Sequence, residues 1–390
     1  MRFPEFSGEW KNTSLGKIGK TFNGLTGKSG ADFGRGFPYI TYKSIFDDSK
    51  IDISRVEYVE ITDVERKKET QNEVQYGDVF FTTSSETPDE VGMSSVLLDE
   101  IKDCYLNSFC FGYRLNSLSK TIPDYMRFYL RSQTIRKKMF VLAQGSTRFN
   151  ISKSEVMGIS INIPETKEQR KIANLLTLLD ERIATQNKII EDLKKLKCAI
   201  IEKLYSKIQG KEYSYGQLFD VVNERNKQME YSNILSASQE KGMVNRDDLN
   251  LDIQFERSNI NTYKIVRKGD YVIHLRSFQG GFAFSDKLGV CSPAYTILRP
   301  NSLLEYSYLS YYFTSQRFIK SLIIVTYGIR DGRSINVEEW LNMKVVIPSK
   351  EHQLHTLNVL KRIDDKVENE EKYATCLSNQ KQYLLRQMFI

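Results

Sequence analysis

The sequence predicts an α+β chain made of two globular domains and two long coiled-coil helices, with pseudo-twofold symmetry. Three observations predict it: an internal duplication, an apolar seam at heptad spacing in each copy, and a domain-sized segment ahead of each seam.

The duplication shows when "ISINIPETKEQRKIANLLTLLDERI" is set beside "MKVVIPSKEHQLHTLNVLKRIDDKV". Pro164 matches Pro348, Gln169 matches Gln353, Asp180 matches Asp364 and Lys197 matches Lys381, all 184 positions apart (348 − 164). A constant offset leaves no insertion or deletion across the block. Each copy opens with a short apolar strand closed by proline, which cannot donate to a ladder and so suits a strand end.

A long helix follows in each copy. In the first, Ile172, Leu176, Leu179, Ile183, Gln186, Ile190, Leu193, Lys197, Ile200 and Leu204 step alternately by four and three. The second repeats this at Thr356, Leu360, Ile363, Val367, Glu370, Ala374, Leu377, Lys381, Leu384 and Met388. Such a period of about 3.5 calls for a partner helix, although a neighbouring domain can also cover an amphipathic stripe. A seam of about 57 Å at 1.5 Å per residue is long for one globular surface, which favours helix against helix. The polar breaks Gln186 with Glu370 and Lys197 with Lys381 fall at equivalent places, where polar residues can set register.

The expected organisation is a first globular domain at 1–164, a central helix at 165–207, a second globular domain at 208–348 and a distal helix at 349–390. Both globular segments read as mixed strands and helices. "GDVFFTTSS" at Gly77 and "GDYVIHLRS" at Gly269 share one design, a Gly-Asp turn, an apolar strand and then small or basic polar residues. Amphipathic stretches follow at "IPDYMRFYLRSQTIRKKM" and "LEYSYLSYYFTSQRFIKSL".

Composition fits a globular chain, with 390 residues, 27% charged and 40% apolar, and the net charge of +7 leans towards a polyanionic partner. Five cysteines without metal-ligand spacing read as reduced thiols, and no apolar signal core or membrane-length segment occurs, so a cytoplasmic protein without a membrane partner is expected. His352 and His355 lie three apart on a helix without a nearby third ligand, so no metal site is expected.

"GLTGKSG" at Gly24 invites comparison with a nucleotide-binding phosphate loop. That loop needs glycines five residues apart before the Lys-Ser pair, and the earlier one would fall on Phe22. With no phosphate loop, no Asn-Pro-Pro-Tyr type motif and no cofactor-binding glycine motif, no catalytic site and no cofactor are expected.

The stretches "GSTRFNISKSEVMGISINIPETKEQRKIANLLTLLDERI" and "YGIRDGRSINVEEWLNMKVVIPSKEHQ" resemble the specificity subunit of type I restriction-modification systems. So do "RFPEFSGEW", "GLTGKSGADFGRGFPYITY", "SSETPDEVGMSS" and "SFQGGFAFSDKLGVCSPAY". The second block departs from the usual Glu-Gln pair after the proline, carrying His352-Gln353. The resemblance implies two target-recognition domains separated by an antiparallel helix pair. It also implies a complex on double-stranded DNA with two methyltransferase subunits and, for cleavage, two restriction subunits. Adenine methylation would then need a base-flipping pocket on a partner.

Reading base edges takes donors and acceptors, with cations to hold the duplex. The candidates in the first domain are Lys28, Ser29, Arg35, Tyr42, Ser84, Ser85, Glu86, Arg148 and Asn150. In the second they are Arg276, Ser277, Gln279, Arg330, Asp331, Arg333 and Ser334. Plainer roles compete with these: Lys28 on a solvated turn, Glu86 as a cap, Arg148 bracing a joint and Arg276 in an ion pair. The rival class is a coiled-coil scaffold for proteins, which would lack the steep salt dependence of phosphate binding.

Overall fold

The computed structural model describes residues 2–238, 241–249, 257–274, 281–327 and 334–389. The chain forms two units, Met1–Gln186 with Tyr373–Ile390, and Asn187–Lys372. Both are α+β and repeat one plan.

The first unit is organised on a four-stranded antiparallel sheet in the order Gly19–Asn23, Cys110–Leu115, Val79–Thr82, Ser94–Val96. Val79–Thr82 is wholly buried, as its unbroken apolar run demands. Alternation sends Val79 and Phe81 into one core with Leu15, Tyr125 and Val156, and Phe80 into another with Ile40, Ile45 and Leu97. The second unit repeats this with the order Phe219–Val222, Thr296–Pro300, Tyr271–Ile273, Phe282–Phe284. There Tyr271 and Ile273 face one core and Val272 the other.

The duplicated blocks fold alike. Ser160–Ile163 pairs with Lys11–Ser14, and Lys344–Ile347 pairs with Lys211–Ser214, both antiparallel. Pro164 and Pro348 end these strands, and the helices Thr166–Ser206 and Lys350–Met388 begin just beyond. Each amphipathic stretch divides into two short helices, Pro123–Tyr129 and Gln133–Leu142, or Tyr308–Tyr312 and Gln316–Ser321. The cause is a serine cap, Ser132 or Ser315, whose hydroxyl accepts an N–H three residues on and starts a new helix.

Every predicted seam residue on both long helices is buried or half-buried. Inside the first unit Ile172, Leu176 and Leu179 share a core with Met388 and Phe389; inside the second, Ile201 and Tyr205 share one with Leu360. Asp180 bonds Lys381 and Arg182 bonds Tyr373 in the first unit, while Lys194 bonds Glu371 and Lys197 bonds Asp364 in the second. Numbers rise on one helix as they fall on the other, so the helices run antiparallel in each unit.

The seam lysines therefore have a specific partner, and it is the same one twice. Lys381 meets Asp180, whose other oxygen takes Arg127 at 2.5 Å; Lys197 meets Asp364, whose other oxygen accepts Tyr311 Oη at 2.7 Å. A double-mutant cycle on Lys197→Ala and Asp364→Ala is expected to give a coupling of about 0.5–1 kcal/mol by urea unfolding, as suits a half-solvated pair. A coupling of zero would leave the lysine without a role in register.

Candidate nucleic-acid interface

In the first unit, two distant stretches of sequence make one ribbon. Ser84–Ser85 pairs antiparallel with Phe149–Asn150, placing Ser85 opposite Phe149 and Ser84 opposite Asn150. Asn150 also exchanges two backbone bonds with Gln144, at 2.8 and 2.9 Å, which closes a tight turn. Gly145 sits in that turn at φ +139, and a Cβ there would lie 2.1 Å from the Arg148 carbonyl, so glycine is required. Arg148 is exposed on the turn.

The helix Tyr42–Asp47 meets the ribbon from the side. Tyr42 Oη donates to the Ser84 carbonyl at 2.7 Å and its ring stacks on Phe46. Burial raises the Tyr42 pKa, which keeps the phenol a donor at neutral pH. Ser85 Oγ donates to Glu90 at 3.0 Å, and Glu86 follows on the exposed side. Tyr42, Ser84, Ser85, Glu86, Arg148 and Asn150 thus come together; Glu86, Arg148 and Asn150 are exposed there, with carboxylate, guanidinium and amide groups of the kinds that read base edges, while the Tyr42 and Ser85 hydroxyls are engaged within the ribbon's surroundings.

Lys28, Ser29 and Arg35 lie elsewhere in the unit and are engaged. Lys28 Nζ is 2.7 Å from Glu65, whose carboxyl is held down to about 2 by that bond and then by the Thr62 N–H and hydroxyl. Ser29 and Asp32 cap one another around a short 3-10 turn, and Arg35 bonds Glu60 at 2.9 Å on the surface. "GLTGKSG" has a steric explanation: a Cβ on Gly24 would stand 2.0 Å from the Asn107 carbonyl, where Leu25 bridges the Asn107 segment. Gly27, at φ +76, makes the turn beyond.

Two arginines outside the predicted set hold the supports of that ribbon. Arg136 donates to the carbonyls of Asp89, Val91 and Gly92 at 2.6–2.8 Å, fixing the loop after Glu86. Arg131 donates to the carbonyls of Ser94, Ile45, Phe46 and Asp48, tying the end of the Tyr42 helix to the sheet. Desolvation, then repulsion from Arg136, lowers Arg131 to about 10, which still leaves it charged at neutral pH. The only signal in sequence was their place within an amphipathic stretch, on its polar side.

In the second unit Arg276, Ser277, Gln279, Arg330, Asp331 and Arg333 lie outside the described residues. Ser334 is described by its backbone, in a strand Ser334–Ile335 that pairs with Thr326–Tyr327. That pairing matches the Gln144 to Asn150 turn of the first unit in position. His274, before the undescribed 275–280, donates its N–H to Gly281, and burial lowers its pKa. Among the described residues no His, Cys, Asp and Glu group has the makings of a metal site, and no helix is long and apolar enough to cross a membrane.

A sequence profile of the type I restriction modification DNA specificity domain matches residues 7–195. The putative type I restriction enzyme MjaX specificity subunit of Methanocaldococcus jannaschii is 24% identical, over 94% of this chain and 90% of its own. Over residues 7–195 the chain is thus similar to the specificity subunits of type I restriction-modification systems. Its fold is theirs as well. The S subunit structure from M. genitalium matches with a TM-score of 0.55 at 14% identity, covering 100% of this chain and 99% of that one. A structure described for assembly and conformational transition of the type I system matches with 0.60 at 17% identity, covering 99% and 98%. A type I specificity subunit is a recognition component and not an enzyme.

The departure at His352 coincides with a difference in anchoring between the two units. The equivalent Glu168 is fully buried and receives Arg2 through two bonds of 2.7 Å, with Trp10 Nε1 at 3.4 Å, so it anchors the "RFPEFSGEW" segment. His352 is exposed, and its side chain forms no such anchor.

Proposed function

We propose that this subunit reads an asymmetric, bipartite site on double-stranded DNA in the cytoplasm, with 1–164 and 208–348 as its recognition domains and 165–207 and 349–390 as the helices between them. It carries two methyltransferase subunits and, for cleavage, two restriction subunits. The observation that supports this is a repeated framework with unlike sequence beside it. Asp78 with Arg114 is matched by Asp270 with Arg299, Gln169 by Gln353, and Asp180 with Lys381 by Asp364 with Lys197. In the aligned sequence beside that framework, Ser84-Ser85-Glu86 falls opposite Arg276-Ser277-Phe278, and "GSTRFN" opposite "GIRDGRS". Equal frames with different donors and acceptors suit two half-sites of different sequence.

The proposed readers are Tyr42, Ser84, Ser85, Glu86, Arg148 and Asn150 in the first domain, and Arg276, Ser277, Gln279, Arg330, Asp331, Arg333 and Ser334 in the second. Lys28, Ser29 and Arg35 add backbone contacts only by leaving their acidic partners, which makes them the weaker members. Exchanging residues 1–150 for those of another family member, with long-read mapping of modified adenines, is expected to alter one half-site and leave the other. A change in both half-sites would contradict the modular reading.

A further inference from the structure

Two short stretches outside the recognition candidates occupy matching places in the two units: Lys137-Lys138-Met139-Phe140-Val141 and Lys320-Ser321-Leu322-Ile323-Ile324. Each lies in the segment begun by the serine cap, Ser132 or Ser315. In each, the third residue is the anchor, since Met139 and Leu322 are fully buried. The next two turn outward. Phe140 is 50% exposed and Val141 79%, while Ile323 is 59% and Ile324 70%.

A single exposed apolar side chain is ordinary and asks for no explanation. An adjacent pair at the same place in two units of different sequence is another matter. The pairs are Phe-Val and Ile-Ile, so apolar character has been kept while the residues have not. Each pair also precedes a short antiparallel pairing, Gln144 with Asn150 in one unit and Thr326–Tyr327 with Ser334–Ile335 in the other.

Charge completes the description. Lys137 and Lys320 are exposed about one helical turn before the pair, and neither makes an ion pair with the described residues. In the first unit Val141 borders a groove of about 790 Å³ floored by Leu142, Ile159 and Phe389 and rimmed by Lys137, Lys138 and Arg386. The one acid on the rim, Glu155, is already bonded to Gln144 and Ser152. Such a surface is complemented by an apolar side chain flanked by acidic residues.

We propose that these stretches are equivalent docking points for the methyltransferase subunit, one copy on each unit. An apolar side chain of that subunit rests on Phe140-Val141 or Ile323-Ile324, and an acidic one on Lys137 or Lys320. The inference rests on the proposed function, which calls for two methyltransferase copies. Repetition selects this occupant. Two identical subunits must each find the same surface, whereas an asymmetric DNA site meets different residues in the two units.

The test uses the full chain co-expressed with its cognate methyltransferase subunit, with copies counted by native mass spectrometry. Val141→Glu is expected to leave one copy bound, Ile324→Glu likewise, and the two together none, with affinity per site falling about tenfold or more. Lys137→Glu and Lys320→Glu should weaken the same sites by repelling the acids. Because these side chains face solvent, thermal unfolding should be unchanged. A wild-type chain that carries no methyltransferase would overturn the proposed function and this inference with it. Two copies on the wild type and on every variant would overturn the docking inference alone. A wild-type chain that dimerises by itself, and becomes monomeric on Val141→Glu or Ile324→Glu, would assign the surface to a second copy of this chain and overturn the proposal.

Discussion

Replacing Arg114 with methionine is expected to destabilise the first unit by about 3–5 kcal/mol, the usual cost of stranding a buried charge. Asp78 is 1% exposed and accepts Arg114 Nε at 2.8 Å and Nη2 at 2.6 Å, with the Gln75 N–H as its further donor. Arg114 Nη2 also reaches the Glu73 carbonyl, so the guanidinium closes the turn that feeds the central strand. Methionine keeps most of the stem and supplies no donor. Asp270 with Arg299 holds the same place in the second unit, at 3.0 Å, and Arg299→Met should cost a similar amount there. Trp10 and Trp340, the two tryptophans, lie one in each unit, so fluorescence-detected urea unfolding of Trp340→Phe and Trp10→Phe backgrounds separates the two transitions.

The Arg114 variant should also respond to pH. Burial raises the Asp78 carboxyl above its ordinary value, against the pull of Arg114. Without the arginine it rises further, while the unfolded value stays near ~3.9. A carboxyl raised in the folded state makes folding weaker above its folded pKa, and that penalty shrinks as the pH falls through it. The gap between wild type and variant should therefore narrow on acidification from neutral pH. A loss under about 1 kcal/mol at neutral pH, or a gap independent of pH, would show that water reaches Asp78 and replaces the guanidinium.

The repeated framework could be read from the sequence because it rests on residues that are few, chemically particular and locally placed. A proline ends each strand, a glutamine follows five positions later, and an aspartate and a lysine stand on each seam; period and offset expose all of them. Contacts between distant stretches could not be read. Nothing local in "SSE" and "GSTRFN" says that Ser84 lies opposite Asn150, and nothing in "GLTGKSG" says that Lys28 is held by Glu65. Arg131 and Arg136 looked like the polar side of an amphipathic stretch, yet they point inward because backbone carbonyls of two other segments need donors there. The exposed pairs escaped for the converse reason. Phe140-Val141 and Ile323-Ile324 fit a helix pattern that assigns apolar residues to the core, and only their accessibility shows that the stripe is wider than the surface it covers.

The glutamines after the prolines should be as sensitive as the buried ion pairs, although they carry no charge. Gln169 Oε1 accepts the Ile122 N–H at 2.9 Å, and its Nε2 donates to the carbonyls of Lys120 at 3.0 Å and Pro164 at 2.9 Å. Gln353 does the same with the Glu305 N–H at 2.7 Å and the carbonyls of Leu303 at 3.0 Å and Pro348 at 3.1 Å. Each is 1% exposed and joins three things at once: the end of a strand, the start of a long helix and the loop before the first short helix of the pair. Gln169→Leu or Gln353→Leu keeps the volume roughly constant and takes the glutamine's bonds from three backbone groups, of which only the Lys120 carbonyl keeps a further donor, Thr166 Oγ1, at an expected cost of about 2–4 kcal/mol to the unit concerned. Glutamate should cost as much or more, because it keeps the acceptor for the N–H but turns two carbonyls against a carboxylate. The two leucine variants should match within about 1 kcal/mol if the duplicated contacts do the same work. Unequal losses would mean that the Arg2 to Glu168 anchor, present in the first unit and replaced by exposed His352 in the second, shares the load at that corner.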